Sequence, residues 1–381
     1  MSVHAPTELG RAVAERVRSA RADRRKLRIA GGAHWLDAGR PCGADEQLRL
    51  DGHSGVVEYE PGDLTLTARA GTSLAHIAQV CRGEGQWLPL DPFGSADGTL
   101  GATIATASYG PLASAFGTPR DQVLGCEVVT GTGAIVSAGG RVVKNVAGFD
   151  LVRLNTGAWG TLGVVTQVSV RLRALPEVDR TLAVDTSAIA AWQWLRAAEF
   201  TPFAAELLSS ALAESLGVGR GVKLLMRIGG NAALVRAAEE SVSMLGAVRE
   251  VPAVAWDALR GSEPAMAPVV RLSTAPSRAA ALWDRASSIV ERAHGVAHAT
   301  LTRGVVRCIL PTPSDDAEES ARLRGIIGSL QHLGTAVVER LPAALWPSLV
   351  PSAAVDPLSI GVRNAFDPDR ILNPGILGEL V

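Results

Sequence analysis

The sequence predicts an α+β protein built from more than one domain. Three observations support this. The chain has 381 residues, more than one small hydrophobic core organises. Its first half is rich in glycine and short β-branched runs, above all between Pro89 and Thr166, a pattern of strands joined by tight turns. After Pro176 glycine thins and helical and extended patterns alternate, which indicates a separate α+β unit.

Taken in order, residues 7–21 read as a helix, with Thr7 as its cap and Leu9, Val13 and Val17 on one face. A strand over 27–30 runs into the turn Gly31-Gly32-Ala33-His34-Trp35. Strands at 56–60 and 64–68 flank the turn tripeptide Pro61-Gly62-Asp63, and a helix runs from Leu74 to about Arg82. The segment 98–105 reads as a turn opening a short apolar helix, with Thr99 as N-cap. Strand 121–130, a hairpin turn at 131–133, strand 135–136 and an alternating strand over 164–175 follow. In the second unit, helices are expected near 188–198, 232–245, 278–293 and 316–332, and strands near 222–228, 269–273 and 305–310. We therefore expect a ligand-binding domain at 1–178, completed by a returning segment at 340–381, and a second domain at 179–339.

Hydrophobic residues make up 47% of the chain and charged residues 20%, the balance of an ordinary globular protein. A net charge of -1 gives no general attraction for nucleic acid or an anionic membrane. The four cysteines form no CxxC pair, so no zinc ribbon or cysteine-ligated iron–sulfur cluster is indicated. His294 and His298 have i,i+4 spacing but no glutamate between them, and Gly295 would end a helix there, so no metal site is expected. A clean dinucleotide fingerprint, a P-loop and a nucleophile elbow are all missing. No apolar signal region or membrane span is evident, and a cytoplasmic location, peripheral to a membrane only through partners, is expected.

The positive indication is the glycine-rich stretch. Glycine lets backbone approach a ligand closely, and N–H groups at turns and helix starts attract phosphate. The stretch reads as a grip on an extended anionic molecule such as a dinucleotide.

The segments TLGATIATASYG, FGTPRDQVLG, KNVAGFDLVRLNTGAWGTLGVVT and FDPDRILNPG, in that order, resemble the FAD-binding domain of the vanillyl-alcohol oxidase/PCMH-type flavoprotein family. Within it they are most similar to FAD-binding subunits of bacterial glycolate oxidase-like complexes. The resemblance covers roughly 25–178 and 360–381. It implies two α+β subdomains clasping FAD, with an α+β cap domain above. Carried over by position, Gly31, Gly32, Ala33, His34 and Trp35 match the first pyrophosphate loop, and Gly98, Thr99, Leu100, Gly101, Ala102 and Thr103 the second. Gly110, Gly117, Thr118 and Asp121 continue along the cofactor, Gly160, Gly163, Val164 and Val165 lie near its pyrophosphate and adenosine end, and Asn373 approaches the flavin side. Lys144 and Asn145 fall within a shared loop without an assigned role.

Two departures stand out. Ala33 replaces the first loop's usual third glycine and Ala102 the second loop's double glycine. Alanine is tolerable there while φ stays negative. Ala33 also occupies the position where some members attach FAD to histidine, so noncovalent FAD is implied. The histidine-rich metal and substrate segment of the family's hydroxy-acid-oxidising members has no counterpart, which leaves the catalytic residues unassigned. Arg303 and Arg307 could clamp a carboxylate or be structural. The implied partners are a larger flavoprotein subunit and an iron–sulfur subunit, with a small 2-hydroxy acid as substrate. The alternatives are a stand-alone FAD-dependent oxidoreductase and a non-catalytic assembly subunit.

Overall fold

Helix α1 (Glu8–Ala22) begins where the sequence places it, because the Thr7 side chain accepts the Gly10 N–H at 2.8 Å. Its buried face of Leu9, Val13 and Val17 packs on a five-stranded sheet. The computed structural model describes residues 5–140, 150–314, 316–350 and 356–378. Lys144 and Asn145 lie outside the described residues.

The five-stranded sheet runs in the order β3 (Val56–Glu60), β4 (Thr65–Arg69), β8 (Gly163–Arg171), β6 (Val123–Thr130), β7 (Ile135–Gly139). All neighbours are antiparallel. A separate parallel pair, β1 (Leu27–Ala30) and β2 (Glu46–Arg49), lies beside it. The short strands β5 (Gln86–Trp87) and β9 (Arg173–Ala174) pair with each other. The strand expected over 164–175 is thus divided after Arg171.

The second sheet has eight strands in the order β13 (Val248–Glu250), β10 (Val178–Asp185), β12 (Lys223–Gly230), β11 (Ala204–Leu208), β15 (Val296–Thr300), β16 (Val305–Ile309), β14 (Val269–Ser273), β17 (Thr335–Arg340). It too is wholly antiparallel. Leu207, Leu224, Met226, Val270 and Val306 point to one face, where they join Trp283, Val290 and Ile327 of the covering helices in one core. The opposite face carries Glu206, His298, Arg307 and Arg271.

The chain's last described segment returns to its beginning. Leu27 bridges Leu372 in parallel, and the Leu27 N–H donates to Ile371 O at 2.7 Å. Buried Asp367 holds that segment in place by accepting the N–H groups of Ile371 and Leu372 at 3.1 and 2.9 Å. Among the described residues, no helix is long and apolar enough to cross a membrane.

Candidate functional site

After α2 (Leu74–Arg82) comes α3 (Leu100–Thr106); β1 ends at Ala30, and the chain breaks away over the N-terminus of α3. The approach is close. A Cβ at Gly31 would lie 2.1 Å from Thr99 Oγ1, so only glycine fits there. Among the described residues, the backbone N–H groups of Gly31, Gly32, Ala33 and His34 meet no protein acceptor. Consecutive free N–H groups around a left-handed residue form an anion-binding concavity. Ala33 is that residue, with φ at +61°, so the condition of a negative φ is not met. A left-handed alanine costs about 1–2 kcal/mol. Ala33→Gly is expected to raise stability by about 1 kcal/mol, read as a higher unfolding midpoint.

The second loop behaves differently. Leu100 N–H donates to Thr72 O, Gly101 N–H to Ala70 O, and Thr103 N–H to Thr99 O, while the Thr99 side chain caps Ala102 N–H. Its donors are therefore already used. Leu100 is fully buried in the core, and a Cβ at Gly101 would sit 2.6 Å from Ala70 Cβ. The loop supplies close packing and a wall, and Ala102 and Thr103 face the space it leaves.

That space is a cleft of about 1030 Å³, open to solvent, between the two loops and the turn at 159–160. Of the residues expected from sequence, Gly31, Gly32, Ala33, His34, Trp35, Gly98, Thr99, Gly101, Ala102, Thr103, Gly160, Gly163, Val165 and Asn373 line it. Leu100 and Val164 are core residues. Gly110 lines an adjoining chamber, its N–H held at 3.2 Å by Asp91, whose carboxyl burial pushes up to about 7. Gly117, Thr118 and Asp121 line neither space. Thr118 and Asp121 form a capping box at Pro119–Gln122, and Gly117 closes over Asp121.

Asn373 turns out to be a structural tie. Its Oδ1 accepts Ile29 N–H and its Nδ2 donates to Trp159 O, both at 2.7 Å, so β1, the Trp159 turn and the returning segment are locked together. Its φ of +42° is one that asparagine tolerates better than most residues. Asn373→Ala would leave two partly buried backbone groups unmet, at a cost of about 2 kcal/mol, visible as a lowered melting temperature.

The adjoining chamber has about 660 Å³ and shares Trp35, Phe93 and Trp159 with the cleft. Trp35 and Trp159 stack at 6.1 Å with their planes 14° apart. Gly160, with φ +66°, makes the turn expected at the entry to the strand, and Trp159 before it also takes a left-handed φ of +54°. The chamber's far wall is the polar face of the eight-stranded sheet. Arg271 and Arg307 sit directly opposite one another on β14 and β16, an arrangement that repels unless neutralised. Glu339 on β17 supplies the neutralisation, 2.8 Å from Arg271 and 2.5 Å from Arg307. Arg307 also pairs with buried Glu263, and Arg340 lies 3.6 Å from Glu263 and 3.5 Å from Asp37. Arg303 donates to Ala113 O and lies over the Tyr109 ring. Both arginines weighed as carboxylate clamps are thus held within the protein. Among the described residues, no cluster of histidine, cysteine and acidic side chains is arranged to hold a metal.

Residues 8–139 match the family model described as FAD binding domain. Over those residues the chain carries the features of a FAD-binding domain. The chain is 37% identical over 194 residues to glycolate oxidase subunit GlcE of Escherichia coli (strain K12), a match spanning 49% of this chain and 55% of that one. It is 37% identical over 127 residues to glycolate oxidase subunit GlcD of Bacillus subtilis (strain 168), spanning 33% of this chain and 27% of that one. The chain therefore spans about half the length of GlcE, and less of GlcD. Alkyldihydroxyacetonephosphate synthase superposes with a TM-score of 0.67 over 95% of this chain and 74% of its own, at 17% identity, a likeness of fold. The cleft suits the cofactor of the family. It combines free backbone donors, glycines where a Cβ would collide, and a buried Trp35 Nε1 without a protein partner among the described residues.

Proposed function

We propose that the chain holds FAD noncovalently in the glycine-lined cleft and serves as the FAD-binding subunit of a complex that oxidises 2-hydroxy acids, as the names of its GlcE and GlcD relatives suggest. The observation that carries this reading is the run of free N–H groups at 31–34, on residues that line one cleft together with Thr99 and Ala102. Gly31, Gly32, Ala33 and His34 would hold the diphosphate, and Ala102, Thr103, Gly160, Gly163 and Val165 would bound the rest of the cofactor. Bound FAD supplies a two-electron acceptor. The protein's part is to orient it and shield it from water. Residues 1–178 with 340–381 would form the cofactor domain and 179–339 the cap. Electrons would pass to an iron–sulfur partner.

Alanine at position 33 offers no atom for a covalent link to the flavin. The test is a visible spectrum of the purified chain before and after acid precipitation. A flavin spectrum that moves wholly to the supernatant is expected. Colour retained in the pellet would overturn the noncovalent assignment, and a colourless folded protein would overturn the cofactor role.

A further inference from the structure

Away from the cleft, one apolar face is left uncovered. The helix Pro357–Phe366 has 10 residues, and of these only Arg363 is buried. Leu358 is 77% exposed and Ile360 40%. With Leu154 and Leu162 they line a groove of about 1380 Å³ that is open to solvent. Ala158 and Thr161 line this groove, while Trp159 and Gly160 between them line the cleft, so the two spaces flank one turn and share no lining residue. Contiguous exposed apolar surface of this kind marks an interaction site.

The charge around the groove has one sign. Arg120, Arg153, Arg363 and Arg370 line it, and among the described residues no aspartate or glutamate does. Arg363 is committed, to Asp367 at 3.2 Å and to Leu372 O at 2.6 Å. The other three have capacity to spare. Arg120 is exposed and makes no ion pair among the described residues. Arg153 lies 3.2 Å from Asp150, but both side chains are more than half exposed, and such a pair is weak. Arg370 donates from Nη2 to Asn364 Oδ1 at 2.7 Å, while its Nη1 is buried without a partner among the described residues. A guanidinium nitrogen can only donate, so the group missing there is an acceptor. A carboxylate matches it in both charge and geometry.

Shape selects among the possible sources of carboxylate. A flat bilayer would meet the exposed Arg120, Arg153 and Leu358 and leave the recess empty. Side chains standing out from a helix or strand of another protein would fill it, with apolar anchors at the centre and charges around them.

We propose that this groove docks a segment of another protein that presents bulky apolar side chains flanked by aspartate or glutamate, with Arg120, Arg153 and Arg370 taking the carboxylates. The inference is independent of the FAD reading, because the groove and the cleft have no residue in common.

The test is fluorescence polarisation of labelled peptides titrated with the full chain. The probes are a leucine-rich peptide flanked by glutamates, the same peptide flanked by lysines, and the acidic peptide with its leucines changed to serine. The first is expected to bind at least about tenfold tighter than either of the others. Arg120→Glu combined with Arg153→Glu should weaken it about tenfold, and Leu358→Ser about threefold. The melting temperature should not move, since all three side chains are largely exposed. The comparison among peptides needs no variant. Equal binding of the glutamate- and lysine-flanked peptides, acidic-peptide binding that survives both variants, or no binding of any peptide at about 1 mM would overturn the inference. So would an affinity gain of about tenfold on removing residues 379–381, which would make the chain's own residues the occupant. Self-association of the chain, or co-sedimentation with phosphatidylglycerol vesicles, that the double arginine variant abolishes would likewise overturn it, in favour of a second copy or a membrane. None of these readings involves the flavin, so failure of the FAD reading and failure of this one are distinguishable.

Discussion

Ala102→Trp should yield a folded, colourless protein. Ala102 lies in the first turn of α3, half-buried, with its side chain on the cleft wall. An indole there would project into the space that the cofactor needs. The cap from Thr99 to the Ala102 N–H and the contact of Gly101 with Ala70 both involve backbone or neighbouring residues, so they survive the change. Flavin content is expected to fall below about a tenth of wild type, while the melting temperature of the cofactor-free protein stays put. Normal flavin content would refute the placement of the cofactor. Gly101→Val is a poorer probe, since its branched side chain would push α3 off β4 and remove stability and flavin together.

Arg307→Met should cause the largest loss of stability. The Arg307 side chain is 4% exposed and sits between Glu263 and Glu339, themselves 2% and 11% exposed. Removing one member of a buried ion network strands the others, at a cost of about 3–5 kcal/mol. Denaturant unfolding would measure it, and a change below about 1 kcal/mol would show that the network is surface-like. The acid limb offers a second check. Burial alone would raise the Glu339 carboxyl, but the Arg307 and Arg271 guanidiniums hold it at about 2, below its ordinary 4.5. A carboxyl lowered in the folded state contributes stability that is complete above its unfolded value and is lost as pH falls through its folded value. Wild-type stability should therefore decline from about pH 4.5 toward pH 2, and the decline should be shallower in Arg307→Met, where Arg271 alone faces Glu339.

The first half of the chain was legible because its signals are local. Thr7 before a helical stripe, Thr99 before an apolar turn and Pro61-Gly62 between alternating strands each act within a few residues, and each element formed there. The second sheet was read less well. Ala204-Ala205-Glu206-Leu207-Leu208 has the composition of a helix, yet it is buried throughout as a central strand. Pairing with β12 and β15 overrode its propensity. His298 was read as half of a failed metal motif, and its actual partner, Glu206, is 92 positions away. No spacing rule reaches that far. The roles of Asn373 and Trp159 were hidden for the same reason, since left-handed backbone at a tryptophan leaves no compositional trace.

The tie made by Asn373 has a consequence for how the protein matures. Ile29 N–H receives its acceptor from a residue 344 positions downstream. During synthesis the first loop therefore emerges long before the residue that secures it, and α1, α3 and the five-stranded sheet can assemble around a pocket whose rim is still untethered. Cofactor capture becomes a step that waits for Asn373 to emerge and dock, and a nascent chain stalled before Asn373 would be a folded but leaky container for flavin.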